Sequence, residues 1–134
     1  MATKQCSTGV LDSLFASLYT FNGNGILVVM SSCAEWPTIA NASSNSTDYN
    51  LAQSSNPAFL TTGYFSIGSS GNNRYCTIAA CSCDLVYNGG VASYVALIDD
   101  TSSVRYVTTC TTQALTSGNK VNIGSWTITV NQPT

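Results

Sequence analysis

The sequence predicts a mainly β fold: an antiparallel β-sandwich or barrel-like domain with one N-terminal α-helix. Three observations carry this. Short runs rich in Val, Ile, Tyr and Thr recur through the second half of the chain with small polar turns between them, the pattern of packed antiparallel strands. Only one stretch, near the start, has apolar residues at helical spacing. The chain is 134 residues long and 44% hydrophobic, enough for one core and too short for two. A single domain is expected, with a helix over about 8–21, a loop-rich excursion over about 31–58 and a β-core over about 60–130.

The helix comes first. In STGVLDSLFASLYTF, Leu11, Leu14, Phe15 and Leu18 fall at i, i+3, i+4 and i+7 and make one apolar stripe. Ser7 or Thr8 can accept the first free N–H groups, and Asp12 sits in an early turn where a negative charge suits the dipole. NGNG at 22–25 supplies glycines that tolerate the left-handed conformation, and so predicts the stop.

Strands follow. Ile26–Met30 is a short continuous apolar run, as expected of a strand covered on both faces. From Ser31 to Asn56 small polar residues dominate, with Pro37 and NASSNSTDYN, and one short strand is expected around Tyr49–Gln53. Tyr64–Ile67, Tyr75–Ala80 and Cys83–Tyr87 are the next candidates, parted by GSSGNN and other small turns. In the hairpin after them, Tyr94, Ala96 and Ile98 share one face and Val95 and Leu97 the other; DDTSS reverses the chain and Val104–Thr111 returns. Near the end, Val121 and Ile123 are odd whereas Trp126, Ile128 and Val130 are even, so the alternation slips once at Gly124-Ser125. A β-bulge there is the favoured explanation over two separate short strands. The total is about six to eight strands.

Chemistry is thin. The chain has no histidine, which removes the commonest general base, the Ser-His-Asp and Cys-His arrangements and every His-bearing zinc site. No G-x-S-x-G elbow, glycine-rich phosphate loop or polybasic run is present. Asp99-Asp100 read as turn formers, because Asp side chains bond nearby backbone N–H groups, and Asp84 could pair with Arg74 or Arg105 in a structural role. Cys76, Cys81, Cys83 and Cys110 lack paired C-x2-C knuckles. Cys81 and Cys83, two apart on a strand, share a face among Ala, Ile and Val, so small buried hydrophobes are expected rather than a metal site. The chain is expected to be no enzyme and to need no cofactor.

Charge narrows the partners. Charged residues are 7% of the chain against roughly 25% in ordinary soluble domains, and the net charge is -2. Lys4, Arg74, Arg105 and Lys120 are scattered, so neither a nucleic-acid footprint nor a base-stacking groove is expected. A polar, nearly neutral surface offers little colloidal repulsion and permits association between copies or with a larger body. The apolar stretch Val10–Phe21 is interrupted by Asp12 and follows only Lys4, which suits neither a secretory signal nor a bilayer span. Folding in a cytosol with the six cysteines as thiols is expected, and the Asn41 and Asn45 acceptor motifs are taken as chance. Trp36, Tyr49 and Phe59, aromatics outside the clear strand pattern, are the candidate contact residues.

VLDSLFASLY at 10–19, SSCAEWP at 31–37 and, above all, VASYVALIDDTSSVRYVTTCTTQALTSGNKVNIGSWTITV at 91–130 resemble a family of small virion structural proteins of tailed bacteriophages. The similarity covers most of the chain and is weakest over 41–73. The family's usual Pro-Ala-Trp step is Gly124-Ser125-Trp126 here, a departure that bears on the bulge. The resemblance implies a capsid decoration or cement protein in the virion, assembled in the host cytoplasm. Its implied partners are the major capsid protein and copies of itself, as a dimer or trimer, with no nucleic acid and no membrane. It brings no catalytic residues. A tail, neck or baseplate subunit and a carbohydrate-binding host-attachment module are the alternatives.

Overall fold

The computed structural model of the chain describes residues 6–20, 25–32, 49–54, 62–99 and 103–131, apart from the side chains of Tyr19, Thr62 and Asp84. Trp36, Phe59, the Asn41 and Asn45 motifs and most of the loop-rich excursion lie outside the described residues. Helix α1 spans Thr8–Tyr19, with the Ser7 side chain accepting from the Val10 N–H at its start. It ends before NGNG. Thr20 turns extended, and both its N–H and its hydroxyl donate to the Ala16 carbonyl, which closes the last turn early. Leu11 and Phe15 are buried and Leu18 packs against the core, but Leu14 is 51% exposed beside Val10. The buried stripe is therefore narrower than the spacing predicted.

Nine strands follow among the described residues: β1 Gly25–Ser31, β2 Asn50–Gln53, β3 Phe65–Ser70, β4 Asn73–Ile78, β5 Cys81–Leu85, β6 Gly90–Asp99, β7 Ser103–Leu115, β8 Lys120–Ile123 and β9 Trp126–Val130. They pair antiparallel in three sheets, of order β2-β1-β6-β7, β3-β4-β9 and β5-β8. The four-stranded sheet forms one layer and the two smaller sheets the other, a sandwich-like arrangement with the single helix packed on β3, β4 and β7. Ser70 and Asn73 close a two-residue turn in which Gly71 takes φ +60, a value a side chain would resist.

The core explains the strand sequences. Leu27, Val95 and Leu97 of the large sheet meet Ile78 and Cys81 of the small sheets, and Val29, Leu51 and Ala92 meet Cys83 and Val86. On the other face of the large sheet, Ile26, Val28, Met30, Ala96 and Ile98 form a second cluster. Strand β1 is thus buried on both sides, as its unbroken apolar run requires.

The C-terminal irregularity is a strand break, not a bulge. β8 pairs with β5 and β9 with β4, so Gly124-Ser125 is the step where the chain leaves one small sheet for the other. Val121, Ile123, Trp126, Ile128 and Val130 are all half-buried while the residues between them are exposed. The phase slip is real; its cause is a change of partner strand.

Candidate functional site

Among the described residues, Arg74, Asp12, Arg105 and Asp99 are spent on internal ion pairs. Arg74 on β4 grips Asp12 on α1 with two hydrogen bonds, of 2.7 and 2.9 Å, and the guanidinium is held more basic than usual chiefly by that carboxylate. Asp99 is no exposed turn former. It is the last residue of β6, fully buried, and its Oδ2 accepts from Arg105 Nη2 at 2.7 Å. A buried carboxylate needs such a partner, and the neighbouring strand β7 supplies it. Arg105 Nη1 also reaches the Ser17 carbonyl in the last turn of α1 at 3.5 Å, the limit of a hydrogen bond. Both arginines thus have carboxylate partners in Asp12 and Asp99, while the side chain of Asp84, the expected partner, and the whole of Asp100 lie outside the described residues.

The thiols are packed inward. Cys76, Cys81 and Cys83 are buried and Cys110 is half-buried, all as free cysteines. Burial pushes Cys76 and Cys110 up, which keeps them protonated, whereas a hydrogen bond with Cys83 draws Cys81 down. Cys81 and Cys83 do share a face, as their spacing on a strand predicts. Among the described residues no group of three His, Cys, Asp or Glu side chains gathers to hold a metal ion.

Of the expected contact aromatics, Tyr49 alone is described. It stands just before β2, half-buried against the cluster of Ile26, Val28, Met30, Ala96 and Ile98, and its carbonyl accepts from the Ser31 N–H at 2.9 Å. It thus fastens the start of β2 to the end of β1.

A feature that sequence reasoning missed is an open seam between the two layers. One wall is β7; the other is β8, Gly124-Ser125 and the start of β9. Two adjoining cavities of about 220 and 360 Å³ run along it, sharing Val95, Cys110, Ile123 and Gly124. No charged side chain lines either cavity; threonines, Gln113, Asn122 and apolar core residues do. Tyr106 from β7 and Trp126 from β9 stack across one end, ring centroids 5.5 Å apart and 29° from parallel. The strands on either side hydrogen-bond only away from the seam among the described residues: β7 to β6, β8 to β5 and β9 to β4. The signal available in sequence is negative: no Asp, Glu, Lys or Arg occurs from Tyr106 to Asn119.

Such a seam suits shape-fitted, hydrogen-bonded contact. Its lining has hydroxyls, amides and a hydrophobic floor, and it presents backbone edges that can pair with another chain. Compared with known proteins, the chain matches no family model, no curated protein and no solved structure.

Proposed function

We propose that the chain is a virion structural protein of a tailed bacteriophage, a capsid decoration or cement subunit that binds the major capsid shell and stabilises it. The observation that carries the proposal is the uncharged seam flanked by free strand edges, set in an antiparallel framework whose two described arginines are committed to internal ion pairs. A cement subunit binds a finished lattice through many modest contacts repeated by symmetry, and multivalency makes the sum tight. A surface of hydroxyls and amides makes such contacts without stripping water from charges. The sequence resemblance supplies the phage context, and no bond-making chemistry is assigned to the chain.

The test is quantitative mass spectrometry of purified phage particles with image reconstruction of the head. Many copies per particle, repeating with the head lattice, are expected. A few copies at the neck or tail would replace this role with that of a tail, neck or baseplate subunit, and absence from particles would refute a virion role. Trp126 and Tyr106 stacked at one end of a hydroxyl-lined groove, with the amides of Gln113 and Asn122 in the adjoining cavity, favour one other role, carbohydrate binding for host attachment. Binding on a glycan array, lost in Trp126→Ala, would establish it.

A further inference from the structure

We infer that residues 33–48, the segment joining β1 to β2, dock on the outer face of the four-stranded sheet and close the core there, with the apolar stretch 36–40 as the anchor.

That face is buried, yet no described layer lies over it. Val28, Met30 and Ala96 are 0% exposed in the single chain, Ile98 1% and Ile26 7%. Their side chains point away from the sandwich interior, because Leu27, Val95 and Leu97 between them meet the small sheets on the other face. The described hydrophobic residues packed on the cluster are Tyr49, Tyr94, Val104 and Val107, which belong to the same sheet or its edge. Side chains standing next to one another on one sheet leave their tips open to water, so burial this complete needs a second layer. Helix α1 and the two small sheets are all on the opposite side.

Burial within one chain excludes a second copy as the cover and leaves the segments outside the described residues. Residues 21–24 and 100–102 are short connections, the second closing the hairpin between the paired Asp99 and Ser103. Residues 55–61 start from Ser54, which bridges to Cys83 of β5, and end at the turn where the Tyr64 carbonyl accepts from the Ala79 N–H; both ends belong to the opposite layer. Residues 1–5 and 132–134 continue from α1 and β9, on that same side. Residues 33–48 differ from these. Their two ends meet beside Met30, where the Ser31 N–H donates to the Tyr49 carbonyl at 2.9 Å, and Tyr49 itself packs on the cluster. A segment of 16 residues reaches about 25 Å out and back, against a four-stranded sheet roughly 15 Å wide. Its sequence also divides by polarity: WPTIA at 36–40 suits an apolar face, and NASSNSTD at 41–48 suits solvent.

The inference does not rest on the virion role, and it moves Trp36 from a partner surface to the chain's own core. NOE spectroscopy on the full chain is expected to connect the Trp36 indole and the Ile39 methyls with the methyls of Val28, Met30 and Ile98, at equal strength at every concentration. Trp36→Ala is expected to lower Tm by about 10 °C or more, the loss for a buried tryptophan in a chain of this length, and Trp36→Phe to recover most of it. If Trp36→Ala does not fold, the NOE contacts of the wild-type chain decide the matter. Assigned methyls of the cluster without contact to any residue of 33–48, or a Trp36→Ala shift below about 2 °C, as for an exposed side chain, overturns the proposal.

Discussion

Replacing Arg105 by Met tests whether the buried carboxylate of Asp99 depends on its partner. The side chain of Asp99 is fully buried, while that of Arg105 is 27% exposed. Removing one member of a fully buried pair costs about 3–5 kcal/mol, because the remaining charge is desolvated and unpaired. The partly exposed guanidinium is already screened, which lowers the expected loss to about 2–3 kcal/mol. With an unfolding entropy of roughly 2.1 cal/mol/K per residue, that is a fall in Tm of about 7–11 °C for a chain of this length. Circular dichroism melts and urea titration of Arg105→Met measure it. The double variant Asp99→Asn/Arg105→Met, with both charges gone, is expected to be more stable than the sum of the two single losses predicts. A fall in Tm of less than about 3 °C for Arg105→Met, or simple additivity in the double variant, would show that Arg105 does not hold Asp99 in place.

Two further outcomes follow from the core. Phe15→Ala removes the most deeply buried side chain of α1 and is expected to cost about 3–5 kcal/mol in urea unfolding, whereas Leu14→Ala, one residue away and 51% exposed, stays within about 0.5 kcal/mol; equal losses would contradict the narrow stripe. Burial raises the Cys76 thiol above its usual 9.0, so the native state holds that proton after the unfolded chain has released it; its contribution to stability is complete below pH 9 and is lost as pH rises through the higher folded value. Cys76→Ala should flatten that alkaline decline in a urea series, and an unchanged slope would assign the decline to other groups.

Much of the fold is legible in the sequence because alternation reports burial directly. The unbroken run Ile26–Met30 is what a strand covered on both faces looks like, and β1 is that strand. The hairpin declared itself through two faces of apolar residues around a polar turn, and β6 and β7 pair as expected. What alternation does not report is the identity of a neighbour. The slip at Gly124-Ser125 favours a bulge, yet two short strands also return Trp126 to the interior, and only the pairing of β8 with β5 and β9 with β4 separates them. Asp99 was hidden for a related reason. Two aspartates before TSS have the composition of a turn, but the first of them closes a strand in the buried layer, and burial is a tertiary property. The tie between Arg74 and Asp12 spans 62 residues, a separation at which local pattern carries no information. The seam depends on strand order, and strand order is set by the whole fold.

The scarcity of charge and the exposed strand edge belong to one physical economy. A soluble protein ordinarily keeps free edges apart with lysine or glutamate, and this chain has few such residues to place. Arg74 and Arg105 are committed to Asp12 and Asp99, where they fasten α1 to β4 and the end of β6 to β7. The long edge of β7 is left with threonine, glutamine and alanine. Covering a hydroxyl or an amide is inexpensive when the new neighbour returns the hydrogen bond, whereas covering an ammonium or carboxylate costs several kcal/mol before any contact is made. An edge built this way resists approach weakly and rewards pairing, and it does so at all ordinary salt concentrations because no long-range attraction is screened. Binding of the chain to the shell proposed for it should therefore be nearly independent of ionic strength. A steep salt dependence of that binding would place the contact on a charged surface instead.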